Sequence, residues 1–165
     1  MGLSFGGGAV RAGAGHGDGG RAPVEATGRT DFLYSCPGNP GRTFVMQVAA
    51  QVLVALVAAI HVYFLILEMF LWDTERGRKA FGTTAAFSRE SATLAANQGL
   101  YNGFMAAGLI WSLFASDPVR HQIQIFFLLC LIVAGVYGAV TVSRKILFVQ
   151  AGPAALALAL VLVAG

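Results

Sequence analysis

His61 and Glu68 stand seven residues apart inside an otherwise apolar run, HVYFLILEMFLW (61–72). Seven residues is two helical turns, so both side chains leave the same face of a helix. An imidazole and a carboxylate on one face could act as general base and proton relay, or as a polar anchor for a ligand. Plainer roles come first. His61 could be a buried neutral ring bonded to a neighbouring helix, and Glu68 a carboxylate paired with Arg144, Lys145 or loop arginines. One histidine and one distant glutamate are too few ligands for a metal ion, so no metal is expected. Gln47 and Gln51 fall near the same stripe.

A second polar group is NQGLYNGF (97–104), at the head of another apolar run that reaches Phe114. On a helix Asn97, Tyr101 and Gly108 share one face, with Gln98 and Asn102 on its shoulder. These amides and the phenol either bind a ligand or bond helix to helix, the latter worth about 0.6 kcal/mol each inside a membrane. A separate ridge of small residues, Ala95, Gly99, Gly103 and Ala107, has the spacing that lets two helices approach closely. That ridge could pack within the chain or bring two copies together through Gly99 and Gly103. A third set, Cys130, Ala134, Tyr137, Thr141 and Arg144, lines one face of a later run, and Gln150 interrupts the last.

The elements that position these residues follow from composition. Of 165 residues, 56% are hydrophobic and only 12% charged, about half the charged share of a soluble domain. Four apolar runs, at about 44–72, 92–114, 123–142 and 146–164, are long enough to cross hydrocarbon as helices. Short connections after the second and third runs force antiparallel neighbours. The fold class expected is therefore all-α: an up-down bundle of four transmembrane helices in the cell membrane. Residues 1–43 hold twelve of the 21 glycines and cannot bury enough apolar surface to offset ordering, so a disordered tail is expected. Met46, directly before the first run, is an alternative start that would leave the tail untranslated.

Lysines and arginines set the orientation. Arg76, Arg78, Lys79 and Arg89 lie between the first two runs, and Arg144 and Lys145 before the fourth. Arg120, Arg42 and Arg29 lie on the other side. Six against three places both termini outside the cytoplasm. In such a bundle Glu68, Asn97, Gln98, Tyr101, Asn102, Tyr137, Thr141, Arg144, Lys145 and Gln150 share the cytoplasmic half. They would form a polar vestibule that narrows at His61. The net charge of +3 is spread over the ends of the runs, so nucleic acid is not an expected partner. Cys36 and Cys130 have no metal-ligand spacing, and no nucleotide loop, HExxH, CxxC or cofactor motif occurs.

HVYFLILEMFLW (61–72), LAANQGLYNGFMAAGLIW (94–111) and VAGVYGAVTVSRKILFVQAGPA (133–154) resemble, in order, the recurring blocks of a small integral-membrane family catalogued as domain of unknown function 1304. The resemblance runs from about Met46 to the C-terminus. It implies a compact four-helix membrane protein and brings no established activity. Its signature falls on His61, Glu68, Asn97, Gln98, Tyr101, Asn102, Tyr137, Lys145 and Gln150; the Gly-rich tail departs from it. Three functions remain open from sequence: binding of a small apolar molecule or lipid, with or without a permease role; acid–base catalysis by His61 and Glu68 on an apolar substrate; and a purely structural or accessory role.

Overall fold

The structure, a computed structural model, describes residues 40–165. The tail expected over 1–43 lies outside that range, apart from its last four residues, which open the first helix. The described residues are mostly helical, with short turns between helices and no strand among them. The elements are α1 (Pro40–Met69), α2 (Glu75–Phe81), α3 (Ala85–Glu90), α4 (Ala92–Phe114), α5 (Val119–Thr141), a π-helical turn (Leu147–Ala151) and α6 (Gly152–Ala164).

Among the described residues, three helical stretches are long and apolar enough to cross a membrane: Gly41–Met69, Val119–Thr141 and Leu147–Ala164. Helix α4 matches the expected second run in length and bounds, but Asn97, Gln98 and Asn102 lower its hydropathy, and it is not among the three.

Helix α1 packs against α4 and α6, and α5 packs against the same two. The buried residues explain why. Ala50, Val54, Val57 and Ala58 recur at three- and four-residue intervals along α1, and Ala154, Ala157, Val161 and Ala164 do so along α6. Most of these side chains are small, so the helix backbones come close and contact is made by van der Waals packing. Leu109, Leu128 and Leu131 fill the remaining space. Gly135 is a close-approach point, where an added Cβ would lie 2.8 Å from Ala151 Cβ.

The segment between α1 and α4, read from sequence only as a loop, holds two capped helices. The Thr74 hydroxyl accepts from Gly77 N–H, and the Thr84 hydroxyl from Phe87 N–H, which are N-cap bonds. Helix α2 stops at Gly82, whose φ of 67° suits glycine.

Candidate functional site

Glu68 is the penultimate residue of α1, and Asn102 lies midway along α4. Asn102 Nδ2 donates to Glu68 Oε2 at 2.7 Å. The contact is possible because α4 turns its small face to α1. An added Cβ at Gly99 would stand 3.0 Å from Met69 N and 3.2 Å from Leu65 O, and Gly103 meets the Leu65 side chain. With the backbones this close, a short asparagine reaches the carboxylate. Asn102 is buried, 8% exposed, while Glu68 is half-buried. Among the described residues the other carboxylate oxygen, Oε1, has no hydrogen-bond partner, and no cation lies within ion-pair distance. The pairing of Glu68 with Arg144, Lys145 or a loop arginine is therefore not made; a neutral amide takes that place.

His61 is fully buried. Its Nδ1 lies 2.8 Å from the Val57 carbonyl oxygen, one turn back on the same helix. A carbonyl can only accept, so this contact assigns the proton to Nδ1 in the neutral ring and leaves a lone pair on Nε2. That Nε2 is buried without a partner among the described residues. The Phe64 ring meets the imidazole edge-on at 6.0 Å between centroids. The expected partner on a neighbouring helix is thus replaced by a bond within α1. Two turns separate His61 from Glu68, about 10 Å along the helix axis, and no hydrogen bond joins them.

The common vestibule does not form. Asn97, Gln98, Tyr101, Tyr137 and Thr141 are exposed on the outside of the chain, Tyr101 at 61% and Tyr137 at 71%. The reason is rotational. Helix α4 buries Ala95, Gly99, Asn102, Ala106 and Leu109, and the Asn97–Tyr101 stripe leaves the helix well round from that face. Gly108, assigned to the same stripe, packs against the Phe127 ring. Thr141 returns its hydroxyl to the Tyr137 carbonyl at 2.8 Å. Gln150 is half-buried in the π turn, and its Nε2 reaches the Leu131 carbonyl at 3.4 Å. Of the sequence-derived site, Glu68 and Asn102 come together and the other candidates disperse. Gly99 and Gly103 pack against α1, while Ala107 at the far end of the ridge is exposed.

The family model described as "Protein of unknown function (DUF1304)" matches residues 55–162. The chain belongs to that family. It is 32% identical over 115 residues to "Uncharacterized protein YpaA" of Lactococcus lactis subsp. lactis (strain IL1403), an alignment covering 68% of this chain and 96% of that relative. No solved structure matches. Every candidate from His61 to Gln150 falls within the DUF1304 match, and about the first four turns of α1 fall outside it.

Some polar contacts in this DUF1304 chain escaped sequence reasoning. Gln124 Nε2 donates to Gln51 Oε1 at 2.8 Å, with Gln124 fully buried between α5 and α1. Gln51 was visible on the α1 stripe, but Gln124 sits in the first turns of α5, where an amide looks interfacial. Trp72 Nε1 donates to Ser91 Oγ at 3.0 Å, tying the end of α1 to the start of α4 beside the Glu68 contact. Gln47 Nε2 reaches the Ala164 carbonyl at 3.4 Å at the opposite end of α1. Cys130 is a free, half-buried thiol.

Proposed function

We propose that this chain is a four-span, multi-pass protein of the cell membrane that binds a small apolar molecule or lipid through Glu68. Length supports α4 as the fourth span. Its amides need not face lipid where Asn102 is taken up by Glu68, and Asn97 and Gln98 lie near the level of the α1 terminus, where water reaches. Trp72, Tyr101 and Tyr137 then belong to an aromatic belt at one interface. The six lysines and arginines on that side, against three on the other, favour termini outside the cytoplasm.

The observation that carries the binding reading is the state of the carboxylate. Asn102 holds one oxygen in place, and Oε1 of the half-buried carboxylate has no partner among the described residues. A carboxylate at the end of an apolar helix with no cation beside it can take a hydrogen-bond donor from a ligand. The ligand that fits is an apolar body with one hydroxyl, amide or amine donor. Acid–base catalysis is less well supported, since His61 is sealed in the core a long way from Glu68. A permease role would add transport to this binding.

The reading is tested by mild extraction from membranes, followed by native mass spectrometry of the intact protein and its Glu68→Gln and Asn102→Leu variants. A non-bilayer molecule retained by the parent chain and lost from folded Glu68→Gln supports it. Equal retention by all three proteins overturns it.

A further inference from the structure

Beyond Glu68, a second ligand position lies where α1 hands over to α2. A groove of roughly 490 Å³ is lined there by Leu71, Thr74, Glu75, Arg76 and Lys79. Its walls are set by local bonds. The Thr74 hydroxyl donates to the Leu71 carbonyl at 2.7 Å and accepts from Gly77 N–H at 3.3 Å. Gly77 is buried against the Leu71 and Trp72 carbonyls, where no side chain would fit, so α2 lies directly on the end of α1.

The charges of this region divide into two kinds. Arg78 is committed: its Nη1 meets Asp73 Oδ1 at 3.1 Å and the Asp73 carbonyl at 2.6 Å. Arg76 and Lys79, three residues apart on α2, make no ion pair among the described residues. Arg89, Arg144 and Lys145, which the register of the helices places on the same side, are likewise uncommitted. Residues 73–91 with Arg144 and Lys145 carry six cations and three carboxylates, a surplus of three positive charges. In the same segment of chain, Phe81 and Phe87 are exposed, and the Trp72 and Phe81 rings meet at a tilt with 4.9 Å between centroids. Exposed aromatic rings beside free cations suit the boundary between acyl chains and phosphates.

We propose that this groove seats the headgroup of an anionic phospholipid whose headgroup also carries hydroxyls. Arg76 and Lys79 supply the two cations that grip a phosphate, the guanidinium offering paired donors and the ammonium a point charge. Glu75 is the groove's carboxylate; it repels bare phosphate and accepts from a headgroup hydroxyl. That combination favours a glycerol phosphodiester over phosphatidate, and an anionic lipid over a zwitterionic one. The Leu71 wall leads the lipid body back towards the apolar end of α1. The assignment rests on the membrane reading and not on the Glu68 site.

The test is thermal unfolding of the purified full chain in mild detergent with added phosphatidylglycerol, phosphatidate, phosphatidylethanolamine or phosphatidylcholine. Phosphatidylglycerol is expected to raise the midpoint by about 5 °C, more than phosphatidate, with the two zwitterionic lipids near zero. Arg76→Gln/Lys79→Gln is expected to lose most of that shift, and Glu75→Gln to erase the advantage over phosphatidate. Arg120→Gln and Glu68→Gln should keep the shift, which separates this site from the proposed ligand site. Should the double variant fail to fold, the parent chain in about 1 M salt decides, because a screening length near 3 Å removes an exposed ionic contact. Equal shifts for all four lipids, or a shift that survives both the double substitution and salt, overturns the proposal.

Discussion

Gly99 and Glu68 meet backbone to side chain: a Cβ on Gly99 would lie 3.2 Å from Glu68 Cβ. The approach of α4 to α1 is therefore limited at this point by the absence of a side chain. The amide bond from Asn102 to Glu68, three residues further along α4, depends on that spacing. Gly99→Ala should push the two helices apart and cost about 1–3 kcal/mol as overpacking. Gly103→Ala should be neutral or slightly stabilising, since its Cβ would find ordinary contact with Leu65 at 3.4 Å and alanine favours helix by about 1 kcal/mol. Thermal or denaturant unfolding in detergent checks both; a Gly103 variant as damaged as the Gly99 variant would show that the approach is set elsewhere.

The 2.7 Å bond between Asn102 and Glu68 should appear as a coupling energy. In a cycle of Asn102→Leu, Glu68→Leu and the double variant, about 0.6 and at most about 1.7 kcal/mol is expected. Glu68→Gln should retain much of that coupling, since an amide oxygen can still accept. A cycle that closes to zero would mean the contact does not form in the membrane.

Much of this arrangement is readable in the residues, and the limits have physical causes. The bounds of α4, and the shared level of Glu68 and Asn102, follow from hydropathy and from short connections that force antiparallel neighbours. The rotation of α4 does not. Its 95–99–103 face is small and its 97–101 face polar, and either could pack inwards in a membrane, where the outside is also apolar. The close approach at Gly99 decided it, and that is a property of two helices together. The Gln51–Gln124 contact was hidden for a similar reason: each amide is ordinary in its own helix, and only the assembled bundle brings these points of α1 and α5 within reach. Helices α2 and α3 were missed because each is shorter than any hydropathy window that would register it, although Thr74 and Thr84 do mark their starts.

His61 offers an independent check on the core. Among the described residues its Nε2 is buried without a donor, which costs about 1–3 kcal/mol for an unsatisfied group. His61→Leu, close in volume and apolar, should leave stability unchanged or raise it by about 1 kcal/mol. A loss above about 2 kcal/mol would mean that a donor from outside the described residues reaches Nε2. Unfolding of the variant in detergent reads the sign directly.

Gln51 and Gln124 make the other amide contact between long helices. Gln124→Leu alone should destabilise by about 1–2 kcal/mol, because Gln51 keeps a polar end and loses its partner. Gln51→Leu with Gln124→Leu should recover most of the loss. If the double variant is no better than the single one, the two amides have partners other than each other.

The turn at Leu147–Ala151 closes with Gly152 N–H on the Leu147 carbonyl, five residues back. One surplus residue is thereby stored before Pro153, so the wide turn could lose a residue and become an ordinary α-helical turn with the following helix still in phase. A deletion just after Pro153 has no such slack, because each residue advances an α-helix by about 100°. Ala157, Val161 and Ala164 would then swing from the interior to the periphery, and bulky leucines would arrive where methyl groups now interlock. The last helix therefore tolerates a change in residue count at its wide turn far better than anywhere beyond it.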